Sequence, residues 1–516
     1  MKINKFLPCI SYSVLIIAFF LGHTSPVAAQ LFSIDETFAI SGEYQDNDIT
    51  LEGPFNMAGF IELPLGELIV FGDKKLTASI LSQNDMLVTK LNQDGTHNTE
   101  FANNGVFRFD YNGSYDKVTN VRVLPDNKLL VVGATSVADN MHGFLIRLHP
   151  DGSFDNTFHE NGIKIMPRLT TNGQESINDI FVTSEGIYLA YFKGHNTYPA
   201  RQYAVLCKTD LNGNIDESFG ENGYMEFPNE SDDPTHEDFG LLPTNDGNII
   251  ASYRLGAENK IRIWRVSLNG TIDTDFGVGG KFEVDGNEFG LHVAETNDNR
   301  YIVTATIETM DFDGFRVYCL DQEGQTCTDF GVNGVFEYDS SIPSSANYSH
   351  IYPDGSILSA GSRGGNAALY KLTPQGELDL AFHPLGFQNF NQGPITVLKS
   401  SPTGNHFYAI TRRLILAGDN LLLKNSLIKI DGQVSTTISQ SENENLIIYP
   451  NPTYDHLTIE GTVETPTSIK IIDHLGRIVL SEQSIRQINI SQLPKGSYWL
   501  IINLTNKTIS KKIIKK

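Results

Sequence analysis

Between Ile34 and Gly432 the chain is written as short apolar or alternating runs, each bounded by clusters of Gly, Asn, Asp and Pro. That is the signature of strands separated by tight turns, and no comparable helical period of 3.6 residues appears in this region. One stretch displays the pattern fully. Val118 to Leu124 alternates, Pro125-Asp126-Asn127 turns, Lys128 to Ala134 runs apolar, Phe144 to Leu148 forms a third run, and Gly162 to Met166 a fourth. The turn of the first hairpin recurs at Ser184-Glu185-Gly186, Asn245-Asp246-Gly247, Asn297-Asp298-Asn299, Pro353-Asp354-Gly355 and Pro402-Thr403-Gly404. Turn glycines supply positive φ, and Asp or Asn tolerates it. Four strands per unit is the number in a blade of a β-propeller.

The unit also carries a motif: an Asp-Gly or Asn-Gly type of turn, then D-x-x-F, then a glycine that restarts a strand. The motif phenylalanine stands at Phe38, Phe101, Phe158, Phe219, Phe276, Phe330 and Phe382, with steps of 63, 57, 61, 57, 54 and 52 by subtraction. A period of this size means a repeat architecture. The turn glycine recurs at Gly95, Gly152, Gly213, Gly270, Gly324, Gly376 and Gly432, out of phase with the phenylalanines. The repeat region thus opens with Asp35-Glu-Thr-Phe38, a motif with no turn before it, and closes with Ile430-Asp431-Gly432, a turn with no motif after it. An open row of repeats has no need of complementary ends, whereas a ring does. The prediction is an all-β protein: a seven-bladed β-propeller over residues 30–434, closed by its N-terminal segment, with Asp35 and Phe38 beside Asp431-Gly432.

One aromatic at a fixed position per blade suits a wedge between neighbouring sheets, because a large ring buries much apolar area. The Asp three residues earlier (Asp35, Asp155, Asp216, Asp273, Asp379) is expected to accept backbone N–H bonds in its turn. Asn98 substitutes for it in one copy, and Cys327, which cannot do so equally, in another. Asn92-x-Asp94-Gly95 also reads as an oxygen-rich calcium loop. Later copies carry Asn212, Asn269, Glu323 and Gln375 before the glycine, which favours a structural turn, so no metal is assigned.

Met1-Lys-Ile-Asn-Lys5 is a basic start, Val14 to Leu21 an apolar core, and Val27-Ala28-Ala29 a small-residue cleavage site before Gln30. Residues 1–29 read as a signal peptide, with no integral membrane segment expected after cleavage between Ala29 and Gln30. The formal charge of −23 argues against nucleic acid as partner, which requires a basic footprint. Of the four cysteines, Cys9 lies in the leader. Cys319 and Cys327 flank the Gly324 turn, a spacing compatible with a hairpin-spanning disulfide in an exported protein. Cys207 reads as a small buried apolar residue.

Composition changes after Gly432: residues 435–445 are polar, the signature of a linker. Alternating runs then follow to a basic end, Lys511-Lys-Ile-Ile-Lys-Lys516, and predict a separate small β-sandwich over 446–516. From Ser441 onward nine Lys and Arg oppose seven Asp and Glu, a charge of +2. Tyr449-Pro450-Asn451-Pro452, the stretch Asp473-x-x-Gly476-Arg477 and Gly496-x-Tyr498 resemble the type A C-terminal sorting domain of the type IX secretion system of Bacteroidota. The resemblance implies passage through the inner membrane, then recognition by the type IX secretion machinery and release or attachment at the cell surface. The region from Ile34 to Gly432 likewise resembles the delta-60 repeats of large bacterial surface proteins, a likeness that speaks to fold and says almost nothing of activity.

Two functions fit this organisation. The first is a surface binding or adhesion scaffold for a glycan, peptide or partner protein; the second is a secreted polysaccharide hydrolase or lyase, since propellers host many activities. No nucleophile elbow, H-E-x-x-H or phosphate loop is present, and neither catalytic residues nor a cofactor are assigned. The best departure from repeat symmetry is the connector Tyr191 to Arg201, whose Tyr191, His195, Tyr198 and Arg201 form the candidate ligand set, because aromatic and cationic residues favour recognition. Its structural alternative is an extended hairpin packed on a neighbouring blade.

Overall fold

The computed structural model describes residues 31–433 and 447–516, except for 46–54, 76–83, 139, 171–172, 196–200, 229–235, 257, 259, 286–287, 309–312, 402–405, 418–419, 461–467, 473–477, 483–486 and 504–507. The described residues are all-β. Six antiparallel meanders of four strands follow one another, each with its strands in chain order. Sheet 1 runs from Asn56–Glu62 to Val106–Phe109, sheet 2 from Asp116–Val123 to Ile163–Ile165, and sheet 3 from Ser176–Thr183 to Tyr224–Glu226. Sheet 4 runs from His236–Pro243 to Lys281–Asp285, sheet 5 from Glu288–Glu295 to Val335–Tyr338, and sheet 6 from Ser344–Ile351 to Phe387–Asn389.

Sheet 7 is assembled from both ends of the repeat region. Strands Ile395–Ser400, His406–Ala417 and Asn420–Gln433 form a meander, and Leu31–Ile34 adds antiparallel to the last, pairing Phe32 with Gly432 and Ser33 with Asp431. Glu43–Tyr44 pairs further along the same strand, opposite Ile428 and Leu427.

Burial follows strand position. Second strands such as Leu68–Lys75 and Leu129–Val137 are buried on both faces over most of their length, which is why they read as continuous apolar runs, while first strands alternate. All seven first strands carry a bulge, at Met57/Gly59, Val118/Asn120, Ile177/Asp179, Glu237/Gly240, Phe289/His292, Ala346/Tyr348 and Ile395/Val397. A bulge raises local twist and bends the strand. It also brings the bulged backbone onto the next strand: a Cβ on Gly133 would lie 1.9 Å from the Lys117 carbonyl oxygen. Gly133→Ala is therefore expected to destabilise by about 1–3 kcal/mol or more, read as a lowered melting temperature.

The motif phenylalanines do act between sheets. Each is at most 1% exposed. A Cβ on Gly152, Gly213, Gly324 or Gly376, the turn glycines of sheets 2, 3, 5 and 6, would stand 2.7–2.9 Å from the ring of Phe101, Phe158, Phe276 or Phe330 in the preceding sheet. These glycines hold φ between +73° and +82°, so both conformation and space demand the absence of a side chain. Backbone bonds fasten the same contact: Ala102 N–H donates to Asp151 O (2.7 Å), Gly277 to Glu323 (2.6 Å) and Gly331 to Gln375 (2.7 Å).

The C-terminal region is two sheets, Ile447–Tyr449, His456–Glu460 and Gln487–Asn489 in one and Ser468–Ile472, Ile478–Glu482, Gly496–Asn503 and Thr508–Lys515 in the other. They share one core, with Leu457, Ile459 and Ile488 from the first and Ile469, Ile471, Leu500, Ile502 and Ile513 from the second.

Candidate ligand-binding surfaces

The repeated charged residues are committed to the scaffold. Each repeat Asp caps its own turn: Asp155 accepts the Thr157 N–H at 3.0 Å, Asp216 that of Ser218 at 3.1 Å, and Asp379 that of Ala381 at 2.9 Å. The other carboxylate oxygen meets a cation eight residues upstream, Arg147 for Asp155 (2.6 Å), Lys208 for Asp216 (2.9 Å) and Arg265 for Asp273 (2.7 Å). Where Asn98 replaces the acid, Glu67 supplies the carboxylate to Lys90 at 2.9 Å and accepts from Asn98 at 2.8 Å.

In sheet 5 the same two positions are Cys319 and Cys327, with Sγ atoms at a bonding distance of 2.13 Å and Cα atoms 5.4 Å apart. A backbone bond spans this pair of positions in every copy, including Arg147 O to Asp155 N (2.9 Å) and Cys319 O to Cys327 N (2.9 Å). In sheet 7 it joins the two ends of the repeat region: Asp35 N–H donates to Lys429 O at 2.9 Å, and Lys429 Nζ meets Asp35 Oδ2 at 2.8 Å. The Asp94 loop is an Asx turn, its carboxylate accepting from Thr96 N–H at 2.9 Å.

Two buried acids hold connectors between sheets. Glu175 accepts from Leu169 N–H (2.9 Å), Thr170 N–H (3.0 Å) and the Tyr191 hydroxyl (2.7 Å). Asp116 accepts from Tyr111 N–H at 2.8 Å, and burial pushes its carboxyl up to about 6.

The candidate set from the connector is divided by the structure. Tyr191 does not reach the surface: it is fully buried in a core shared by sheets 2 and 3, where Val132, Leu145 and Ile177 surround it. Its strand position turns the ring inward and its hydroxyl is spent on Glu175, so it leaves the ligand set. His195 and Arg201 face each other as the end pair of a hairpin, and Tyr198 lies outside the described residues. Ala29 and Gln30 also lie outside them. Cys207 is a buried free thiol whose pKa burial raises to about 12.

A hollow of about 290 Å³ opens between sheets 5 and 6, lined in part by Asp298, Arg300, Asp329, Asp354 and Pro374. Its cation is already engaged, since Arg300 grips Asp329 at 2.9 and 3.0 Å and Asp298 at 3.1 Å. Among the described residues no group of three or more His, Cys, Asp and Glu is arranged to hold a metal, and no helix is long and apolar enough to cross a membrane.

In the C-terminal sheets the Tyr449 to Pro452 stretch is tied to the end of the chain. The Asn451 side-chain carbonyl accepts the Ile514 N–H at 2.9 Å, Thr453 N–H donates to Ile514 O at 2.9 Å, and Lys516 N–H donates to Thr453 O at 2.8 Å. Tyr449 keeps 43% of its surface exposed. Tyr498, two residues beyond Gly496, is buried with its hydroxyl donating to Pro494 O at 2.7 Å. Asp473, Gly476 and Arg477 lie outside the described residues.

Repeated four-stranded meanders with one wedge per repeat define a β-propeller protein, and residues 124–158 match a domain of unknown function described as a beta-propeller. Residues 447–516 match the secretion system C-terminal sorting domain. Together the two matches support a β-propeller protein with a type IX secretion C-terminal sorting domain, a domain that implies interaction with the secretion machinery and indicates export to the cell surface or the exterior. No curated protein matches it. Among solved structures it is similar to the PQQ-bound aldose sugar dehydrogenase of Streptomyces coelicolor (14% identity, 61% of this chain and 93% of that one, TM-score 0.34). It is also similar to the polysaccharide lyase Uly1 (10% identity, 77% and 92%, TM-score 0.41). A third is the extracellular domain of a hybrid two component system from B. thetaiotaomicron (10% identity, 95% and 59%, TM-score 0.39).

Proposed function

We propose that the seven sheets close into a single seven-bladed ring, and that residues 30–434 serve as a secreted or surface-held binding and adhesion scaffold for an extracellular glycan or protein. On this reading residues 1–29 are its signal peptide, 435–445 a linker, 446–516 the sorting domain, and Cys319–Cys327 a disulfide. Closure is supported by the Leu31–Ile34 pairing and by a core that joins Phe38, Met57 and Phe60 to Tyr408, Ile410 and Leu427. Sheet 7 also meets sheet 1 directly: Asn425 Nδ2 donates to Phe55 O at 3.0 Å and Lys399 Nζ to Phe60 O at 3.0 Å.

The observation that carries the binding reading is the commitment of the repeat carboxylates to turn caps and ion pairs, which leaves specificity to features that break the repeat. The test is a glycan array probed with the mature chain, followed by assay of the bound sugars for cleavage products. Binding without products is expected; released oligosaccharide would replace this reading with an enzyme.

The closing contact carries a pH signature. Burial alone would raise the Asp35 carboxyl, but hydrogen bonds from Lys429 and Thr37 outweigh it and hold the group down at about 2. A depressed folded value stabilises fully above the unfolded carboxylate range near ~4, and that stability is lost as pH falls from there through about 2. Lys429→Met is expected to be less stable than the parent at pH 7, with the gap narrowing as pH falls through this window. Acid unfolding followed by circular dichroism measures it; a gap independent of pH would deny the ion pair its role.

A further inference from the structure

The bulged first strands of different sheets bring together a small set of polar side chains far apart in sequence. Asn120 and Arg122 of sheet 2 both bond to Asp179 of sheet 3, at 2.7 and 3.0 Å, and the second Asp179 oxygen accepts Leu241 N–H of sheet 4 at 3.0 Å. On the far side, His292 of sheet 5 packs on Tyr348 of sheet 6 with ring centres 3.8 Å apart, and its Nδ1 accepts Ser349 N–H at 3.3 Å. A neutral imidazole that accepts at Nδ1 carries its proton on Nε2, where it is a donor.

Lys399 of sheet 7 completes the set. Its ammonium lies 5.6 Å from the centre of the Phe60 ring and donates one bond, to Phe60 O. It interacts electrostatically with Arg122 and Asp179, two residues that belong to sheets 2 and 3. Arg122, Asp179, His292, Tyr348 and Lys399 are all half-buried: protein surrounds them, yet each keeps accessible surface, as residues lining a lumen do. Burial, reinforced by Arg122, brings the Lys399 ammonium down to about 8, so it remains charged at neutral pH without a carboxylate in hydrogen-bond contact.

The charge count is uneven. Arg122 is balanced by Asp179, while Lys399 has only a carbonyl. Asp238, on the first strand of sheet 4, lies 3.8 Å from Arg254, which it shares with Glu237. Among Arg122, Asp179 and Lys399 one positive charge is left over, which one carboxylate matches and a dianion such as phosphate would exceed. A cation enclosed by protein gains strongly from such a partner, because charge-assisted bonds are the strong ones where water is sparse.

Resting on the closed-ring binding reading above, we propose that the axial lumen binds a carboxylate, presented by a uronic acid of an acidic glycan, with Lys399 as its anchor. Arg122 and the His292 Nε2–H lie within the same lumen as further donors. In a chain of charge −23, a positive axial site also discriminates, since the acidic exterior holds polyanions off and only an end that enters the lumen is gripped.

The experiment is calorimetric titration of the mature full chain with sodium glucuronate, sodium acetate and glucose. Glucuronate is expected to bind and glucose not. Lys399→Met should weaken glucuronate about tenfold or more, and Lys399→Arg should restore most of it. Equal binding of glucuronate and glucose overturns the proposal, as does full affinity in folded Lys399→Met, or absence of binding by both acids. Acetate without glucuronate keeps the carboxylate site and removes the sugar as its source. Should Lys399→Met fail to fold, the parent's preference for glucuronate over glucose still decides. An array that reports glycans while Lys399→Met binds them unchanged sinks the axial site and leaves the scaffold reading standing; a silent array with carboxylate binding does the reverse.

Discussion

Phe38→Ala is expected to destabilise the repeat region by about 3–5 kcal/mol, the ordinary penalty for emptying a buried aromatic site, and by as much as Phe158→Ala in the middle of the chain. A phenylalanine at the very start of the repeat region would normally cost almost nothing, because terminal segments fray unless tied down. Phe38 is tied down. It is 1% exposed, its ring lies 5.5 Å from Tyr408, and it sits in a core built from sheets 1 and 7. Its neighbour Ala39 donates its N–H to Asp94 O at 2.6 Å, the bond that Ala102 makes to Asp151 one sheet further on. Thermal unfolding of the two variants beside the parent makes the comparison. A Phe38→Ala protein as stable as the parent, with Phe158→Ala destabilised, would sink the closure of the ring.

The second large effect is expected at Cys319 and Cys327. With eight residues of sequence separation, loss of the link in Cys319→Ser/Cys327→Ser should cost about 2–3 kcal/mol on the chain-entropy account. More informative is Cys319→Arg/Cys327→Asp, which writes into sheet 5 the pair that sheet 2 uses at Arg147 and Asp155, 2.6 Å apart. It should recover part of the loss and make stability indifferent to reductant. Thiol titration of the unfolded mature chain gives an independent reading. With residues 1–29 removed, as proposed, Cys207, Cys319 and Cys327 remain, so one reactive thiol supports the link and three exclude it. A double-serine protein as stable as the parent would show that the covalent bond adds nothing to the backbone bond already spanning these positions.

Much of the scaffold was legible because symmetry repeats its signal. The phenylalanines, the turn glycines and the bulge-bearing first strands recur in each copy, and the phase offset between Phe38 and Gly432 pointed to the pairing of Phe32 with Gly432. The cations at Lys90, Arg147, Lys208, Arg265, Lys371 and Lys429 are equally periodic, but their meaning depends on hairpin register, which sets what a residue eight positions away can touch. Tyr191 misleads for the opposite reason. It sits in a cluster of aromatic and cationic residues that looks like a recognition surface, whereas strand alternation aims its ring into the core beside Ile177.

The sequence by itself determined strand, turn and repeat, because each is a local matter of side-chain period and of glycine where φ is positive, and it determined the export route through a compact terminal motif. Only the tertiary structure decided which charges face one another. Arg122 and Asp179 are 57 residues apart, and Lys399 is further still from both, yet all three are brought together by the bulged first strands. No local pattern encodes that meeting, because the loop lengths vary from copy to copy while the arrangement of the sheets sets which first strands come together. The same physics explains the Asp35–Lys429 pair, 394 residues apart, where the two ends of one repeat unit meet across sheet 7.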